Sequence, residues 1–89
     1  MTTRFDFVYL GEIEFSSEGL TFFGDIFVYY LNLHHWSIKE FSGSLTVNER
    51  RYRGKWTKGR RFKELEYLFL SNPQLVDVAK DCIRRRLEW

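Results

Sequence analysis

The sequence predicts an α+β domain. An antiparallel sheet of about four or five strands, open or curled into a partly open barrel, is followed by one or two C-terminal α-helices. Three observations lead there. Strand-forming stretches, alternating from Arg4 to Phe15 and apolar on both faces from Leu20 to Leu33, follow one another as far as Thr57 with turn signals between them. Ser71-Asn72-Pro73 is a helix-start signal, and the residues after it repeat their apolar positions at helical spacing. The 89 residues are enough for one domain, residues 1–89, and no proline- or glycine-rich linker divides them.

Arg4 to Phe15 alternates. Phe5, Phe7, Tyr9, Ile13 and Phe15 are expected on one face, with Gly11 among them, and Asp6, Val8, Leu10, Glu12 and Glu14 on the other. Glu12 and Glu14 lack a partner that would make them an acid–base pair, so they read as a solvated edge. Ser16 to Gly19 is a turn. Leu20 to Leu33 is dense in strand formers on both faces: Leu20, Phe22, Ile26, Val28 and Tyr30 oppose Phe23, Phe27, Tyr29, Leu31 and Leu33. Such a strand is expected to be central and covered on both sides. Gly24-Asp25 is expected to be a bulge within it rather than a turn that splits it.

His34 and His35 are adjacent, with no further ligand at a metal-binding spacing, so a turn or strand end is expected there. Ile38 to Phe41 reads as a short strand or turn, and Gly43 to Val47 as a strand. Asn48, Glu49 and Arg50 form a turn, from which Arg51 to Thr57 pairs back as a hairpin. Lys58 and Gly59 break that strand. Arg60 to Leu70 reads as a short helix on Phe62, Leu65 and Leu68, although the alternation of Leu65, Tyr67 and Phe69 also fits a strand. The last helix is expected from Pro73 to about Leu87, with Leu75, Val76, Ala79, Cys82, Ile83 and Leu87 as its apolar stripe. Asp81 and Arg85 are spaced to pair, and Asp77 and Arg84 to Arg86 complement the helix dipole. Trp89 is expected to fold back or join an interface.

Function has to be read from composition, because no enzyme signature is present and no enzyme activity is expected. No cofactor and no metal site are expected. The single cysteine, Cys82, excludes an internal disulfide and suits a reducing, cytoplasmic setting; it reads as a packed thiol. No leader-like apolar run and no membrane-length apolar stretch occur, so no membrane partner is expected. The net charge of +2 conceals a division: residues 1–49 sum to −5 and residues 50–89 to +7.

The stretch from Arg50 to Lys63 holds eight of the fourteen Lys and Arg residues and no acid. As a strand, Arg51, Arg53 and Lys55 line one face, and Tyr52, Gly54 and Trp56 the other. The function class predicted is therefore a small binding protein, with nucleic acid or an acidic protein surface as partner. On the nucleic-acid reading, Arg50, Arg51, Arg53, Lys55, Lys58, Arg60, Arg61 and Lys63 meet phosphates, and Trp56 or Tyr52 stacks on a base. The plainer alternative is a solvated edge strand whose charges discourage pairing with other chains. The seventeen aromatic residues support another reading, a protein-interaction module or small inhibitor, since a core this small cannot hide them all. The second face of Leu20–Leu33 needs a cover that the chain does not supply. A homodimer through Phe23, Phe27 and Tyr29 is therefore expected.

Overall fold

The computed structural model describes residues 6–88; the expectations for Arg4, Phe5 and Trp89 fall outside them. Four strands, β1 (Asp6–Ser17), β2 (Leu20–Asn32), β3 (His35–Val47) and β4 (Arg50–Trp56), precede α1 (Arg60–Leu70) and α2 (Pro73–Leu87). The strands form one antiparallel meander in the order β1-β2-β3-β4. The fold is α+β as expected, and the sheet stays open rather than closing into a barrel.

Tight turns set the register. Glu18 and Gly19, and again Asn48 and Glu49, take positive φ (44°, 82°, 49° and 71°). Two consecutive positive-φ residues match the right-handed twist of the strands they join. The Asn48 N–H donates to the Gly19 carbonyl at 3.1 Å, tying these turns together at one end of the sheet. At the other end Asn32 Oδ1 accepts from the backbone N–H groups of His34 and His35, at 2.7 and 3.0 Å. His34 lies in that turn and His35 begins β3, which is a turn role for the pair.

Both helices cover the same face of the sheet. β2 sends Leu20, Phe22, Ile26, Val28 and Tyr30 to that face, and all five are buried. Phe41 and Leu45 of β3 join them, as do Leu65 and Phe69 of α1 and Leu75, Ala79 and Ile83 of α2. Phe41 is central among rings. It meets Phe22 edge-on at 5.5 Å, Phe62 at 5.7 Å, Phe15 at 6.2 Å and Phe69 at 6.4 Å. Each such pair adds about 0.5–1.5 kcal/mol beyond area burial. Asn72 caps α2 by accepting from Gln74 N–H at 3.0 Å and Leu75 N–H at 3.4 Å, with Pro73 in the first helical turn. Asp81 pairs with Arg85 at 2.8 Å as the spacing predicted, and with Arg84 at 3.7 Å.

Several sequence expectations are corrected. Phe7 and Tyr9 do not share a face with Ile13 and Phe15. Between the Tyr9–Phe27 and Glu12–Asp25 pairs, β1 carries one residue more than β2, with Gly11 at φ 92°. The extra residue turns everything after it to the opposite face. Val8 and Phe15 therefore face the helices, whereas Phe7 and Tyr9 face away, about half exposed.

Gly24-Asp25 is not a bulge. Gly24 pairs in register with Gly43, and the irregularities lie further along: Phe27 pairs with Glu40 but Val28 with Ile38, leaving Lys39 as the extra residue, and the register shifts again between Tyr30 and Asn32. Gly24 and Gly43 instead let β2 and β3 approach closely. A Cβ on Gly24 would stand 2.3 Å from the Ser42 carbonyl oxygen, and one on Gly43 2.4 Å from that of Phe23. Ile38–Phe41 is no separate piece but the middle of a continuous β3. Leu87 leaves the apolar stripe and is 48% exposed, and Asp77 lies beyond the first turn of α2. The second face of β2, expected to be covered, has nothing of this chain over it among the described residues.

Candidate interaction surface

Because both helices sit on one side, the other side of the sheet is uncovered among the described residues. Its side chains can be read off the strand register in rows. One row runs Glu14–Phe23–Ser44–Arg53 from β1 to β4, and the next runs Glu12–Asp25–Ser42–Lys55. Beyond these, Tyr9 pairs with Phe27 and Phe7 with Tyr29, in the part of the sheet that β4 does not reach.

The face thus has three zones. The β1 edge is acidic, through Glu12 and Glu14, with Asp25 beside them on β2. The β4 edge is basic, through Arg51, Arg53 and Lys55. The corner made by β1, β2 and the bulge of β3 is aromatic. There the Lys39 ammonium stands 4.5 Å from the centroid of the Phe7 ring, 5.8 Å from Tyr29 and 5.9 Å from Phe27. That geometry favours a cation held over ring faces, worth about 0.5–1 kcal/mol at an exposed site. Tyr9 stacks obliquely on Phe27 at 5.2 Å, and its hydroxyl donates to Asp25 Oδ1 at 2.6 Å. This hydrogen bond pushes the Tyr9 phenol above its ordinary value of 10.0; desolvation and the charges of Asp25 and Glu12 add in the same direction.

The residues singled out from sequence divide between this face and other places. Phe23, Phe27 and Tyr29 all lie on it; Phe23 is 46% and Tyr29 39% exposed, and Phe27 is half-buried. Arg51, Arg53 and Lys55 lie on it at the opposite edge, and Arg50 starts β4 at the hairpin tip, exposed. Trp56 is on the helix-covered face, packed edge-on against Phe22 at 6.4 Å, so it belongs to the core rather than beside the β4 cations. Tyr52 also points to that side, although 48% of it remains exposed.

Lys58 is in the connection to α1. Arg60 and Lys63 are exposed on α1, where they border a shallow depression with Glu64 and Tyr67. Arg61 donates to Glu64 at 2.7 Å, a surface pair worth little. Cys82 is half-buried, and desolvation raises its thiol pKa against the pull of Arg85, which suits a packed thiol. Among the described residues, no three His, Cys, Asp or Glu side chains group closely enough to hold a metal ion. Among the described residues, no helix is long and apolar enough to cross a membrane.

Sequence reasoning missed Phe7, Tyr9, Asp25 and Lys39 as members of one surface. Two signals mark them. Gly11 interrupts a strand pattern, a usual sign of a bulge. In β3, Ile38 and Phe41 are three apart although both face the core, so one residue between them must be extra. Comparison of the chain with protein-family models, with curated proteins and with solved structures found no match.

Proposed function

We propose that this protein is a non-enzymatic interaction module that works through the open face of its sheet and docks a protein surface there. The observation that carries this is the exposure of Phe7, Tyr9, Phe23 and Tyr29, between 39% and 51%, on a face that no element among the described residues covers. Phe7, Tyr9 and Tyr29 cluster in one corner around Phe27, with Phe23 two rows away, and exposed aromatics on one face are the composition of interface centres rather than of ordinary solvated sheet. Their electrical surroundings favour protein over nucleic acid. Glu12, Asp25 and Glu40 flank the rings on the same face, and a phosphate chain stacked there would meet carboxylates. Affinity capture from a native extract, with and without nuclease, tests this reading. A partner that survives nuclease and is lost on Phe23→Glu with Tyr29→Glu supports it; nuclease-sensitive capture that ignores both substitutions overturns it.

A second reading, nucleic-acid binding at the β4 edge, has its own support. Arg50, Arg51, Arg53, Lys55, Lys58, Arg60 and Lys63 make no ion pair among the described residues, and all are exposed. Free cations along an edge and onto the following helix suit a phosphate backbone. Its test is fluorescence anisotropy with labelled single- and double-stranded oligonucleotides. The expected log–log salt slope is about −3 to −5, for roughly four or five phosphates. No binding at low salt sinks it.

A further inference from the structure

We propose that the occupant of the open face is a second copy of this chain, related by a two-fold axis parallel to the strands and lying between the two sheets. This deepens the interaction reading above and rests on it. The open face carries acids on one edge and bases on the other, in the same rows: Glu14 ends the row that Arg53 begins, and Glu12 the row that Lys55 begins. A two-fold axis along the strands keeps each row in place and reverses it. Glu14 then faces the partner's Arg53, and Glu12 the partner's Lys55. Both contacts occur twice, as in any isologous interface.

The other simple two-fold axis, perpendicular to the strands, lays the β1 edge on the partner's β1 edge. With that axis between the two rows, Glu12 would face the partner's Glu14 and Arg53 the partner's Lys55, which is repulsive at both edges. Charge therefore selects the axis as well as the partner. Within one chain the same groups cannot satisfy one another, because β2 and β3 lie between the two edges.

The packing is reasonable on size. Sheets pack face to face about 10 Å apart with strand directions within about 30°. Phe23 lies opposite the partner's Ser44, so a large side chain meets a small one in the central rows. With strands about 4.8 Å apart and about 3.3 Å of rise per residue, the shared face is about 20 by 25 Å. Burial is then roughly 1,200 Å² in total, at the lower end of specific interfaces, so association in the micromolar range is expected.

Charge exchange at Glu14 and Arg53 is the test. Both are exposed and neither is in the core, so the variants should fold. Sedimentation velocity over about 10–200 µM protein should show a concentration-dependent dimer that weakens at high salt. Glu14→Arg alone and Arg53→Glu alone should each weaken it by roughly tenfold or more. An equimolar mixture of the two single variants should restore association, because each contact in the mixed pair again joins opposite charges.

A single species near the 10.9 kDa chain mass throughout overturns the dimer. If aromatic-dependent capture of another protein persists in that case, the interaction reading stands with a different occupant. A dimer whose variants are not rescued by mixing overturns the axis. A dimer that also ignores Phe23→Glu overturns the use of this face altogether. A species that dissociates on nuclease treatment overturns the proposal in favour of nucleic acid.

Discussion

Phe22 and Phe23 are neighbours in one strand, yet Phe22 is completely buried and Phe23 is 46% exposed. Nothing in their identity separates them; the difference comes from what lies over each side of the sheet. The 11 residues of α1 and the 15 of α2 are spent on one face, where Leu65, Phe69, Ala79 and Ile83 close over the even-numbered side chains of β2. The odd-numbered side chains, Phe23, Phe27, Tyr29 and Leu31 with Asp25 among them, have no cover among the described residues. Apolar character therefore does two jobs in this strand. On the covered face it holds the fold together; on the open face it stays exposed, and that is the surface proposed above to take a partner.

The largest expected effect follows directly. Phe22→Ala should cost about 3–5 kcal/mol, as for a large ring removed from a packed core. Phe23→Ala should cost under about 1 kcal/mol. Urea unfolding at protein concentrations well below the expected micromolar dissociation constant, where association does not contribute, measures both. Equal losses would mean that the two faces are not energetically distinct.

Next in size is the close approach of β2 and β3. Gly43→Ala would put a Cβ 2.4 Å from the Phe23 carbonyl oxygen, which is backbone and cannot rotate aside. The strands must separate locally, with an expected loss of about 1–3 kcal/mol. Gly54→Ala, paired with Gly43 in the next strand but with open space where its Cβ would go, is the control and should cost far less. Comparable losses at the two positions would sharpen the account against close approach and toward glycine's general effect in strands.

The order and class of the elements were legible because each rests on a local signal. Asn72-Pro73 starts α2 through a side-chain cap, and Glu18-Gly19 and Asn48-Glu49 reverse the chain through positive φ. Faces were less legible, because a face is a count carried along a strand. One extra residue at Gly11 moves Phe7 and Tyr9 to the side opposite Phe15, and Lys39 does the same within β3. The basic edge could be seen in the sequence because its charges are contiguous. The aromatic corner could not, because Phe7, Tyr9, Phe27, Tyr29 and Lys39 come from three strands and meet only once both bulges are placed. For the same reason Trp56 neighbours Lys55 in sequence but not in the fold, since alternation sends it to the helix-covered face against Phe22.

A smaller effect concerns the covered side. Asn72→Ala removes the acceptor for the Gln74 and Leu75 N–H groups and should destabilise the domain by about 1 kcal/mol. Association through the open face should be unchanged once protein concentration is corrected for unfolded chains. A change in dimer affinity at constant fold would show that the two faces are coupled after all.

The smallest effect, and the one confined to the open face, is the titration of Tyr9. Its hydroxyl donates to Asp25, so the protonated phenol is the bonded form; ionising it breaks that bond and adds a negative charge beside Asp25 and Glu12. The folded-state pKa is therefore above the ordinary 10.0 that the unfolded chain would show. The sign follows: the stability this bond contributes is fully present below pH 10.0 and is lost as pH rises through the higher folded value. The difference in phenolate absorbance between the native chain and Tyr9→Phe isolates this one group, and its midpoint should lie above 10.0. Asp25→Asn, which keeps an acceptor oxygen but removes the charge, should bring the midpoint down. Any stability advantage of the native chain over Tyr9→Phe should be constant through neutral pH and fade in alkali. A Tyr9 midpoint at or below 10.0 would mean that this corner of the face is not held by the Tyr9–Asp25 bond, leaving it to Lys39 over the rings and the Tyr9–Phe27 stack.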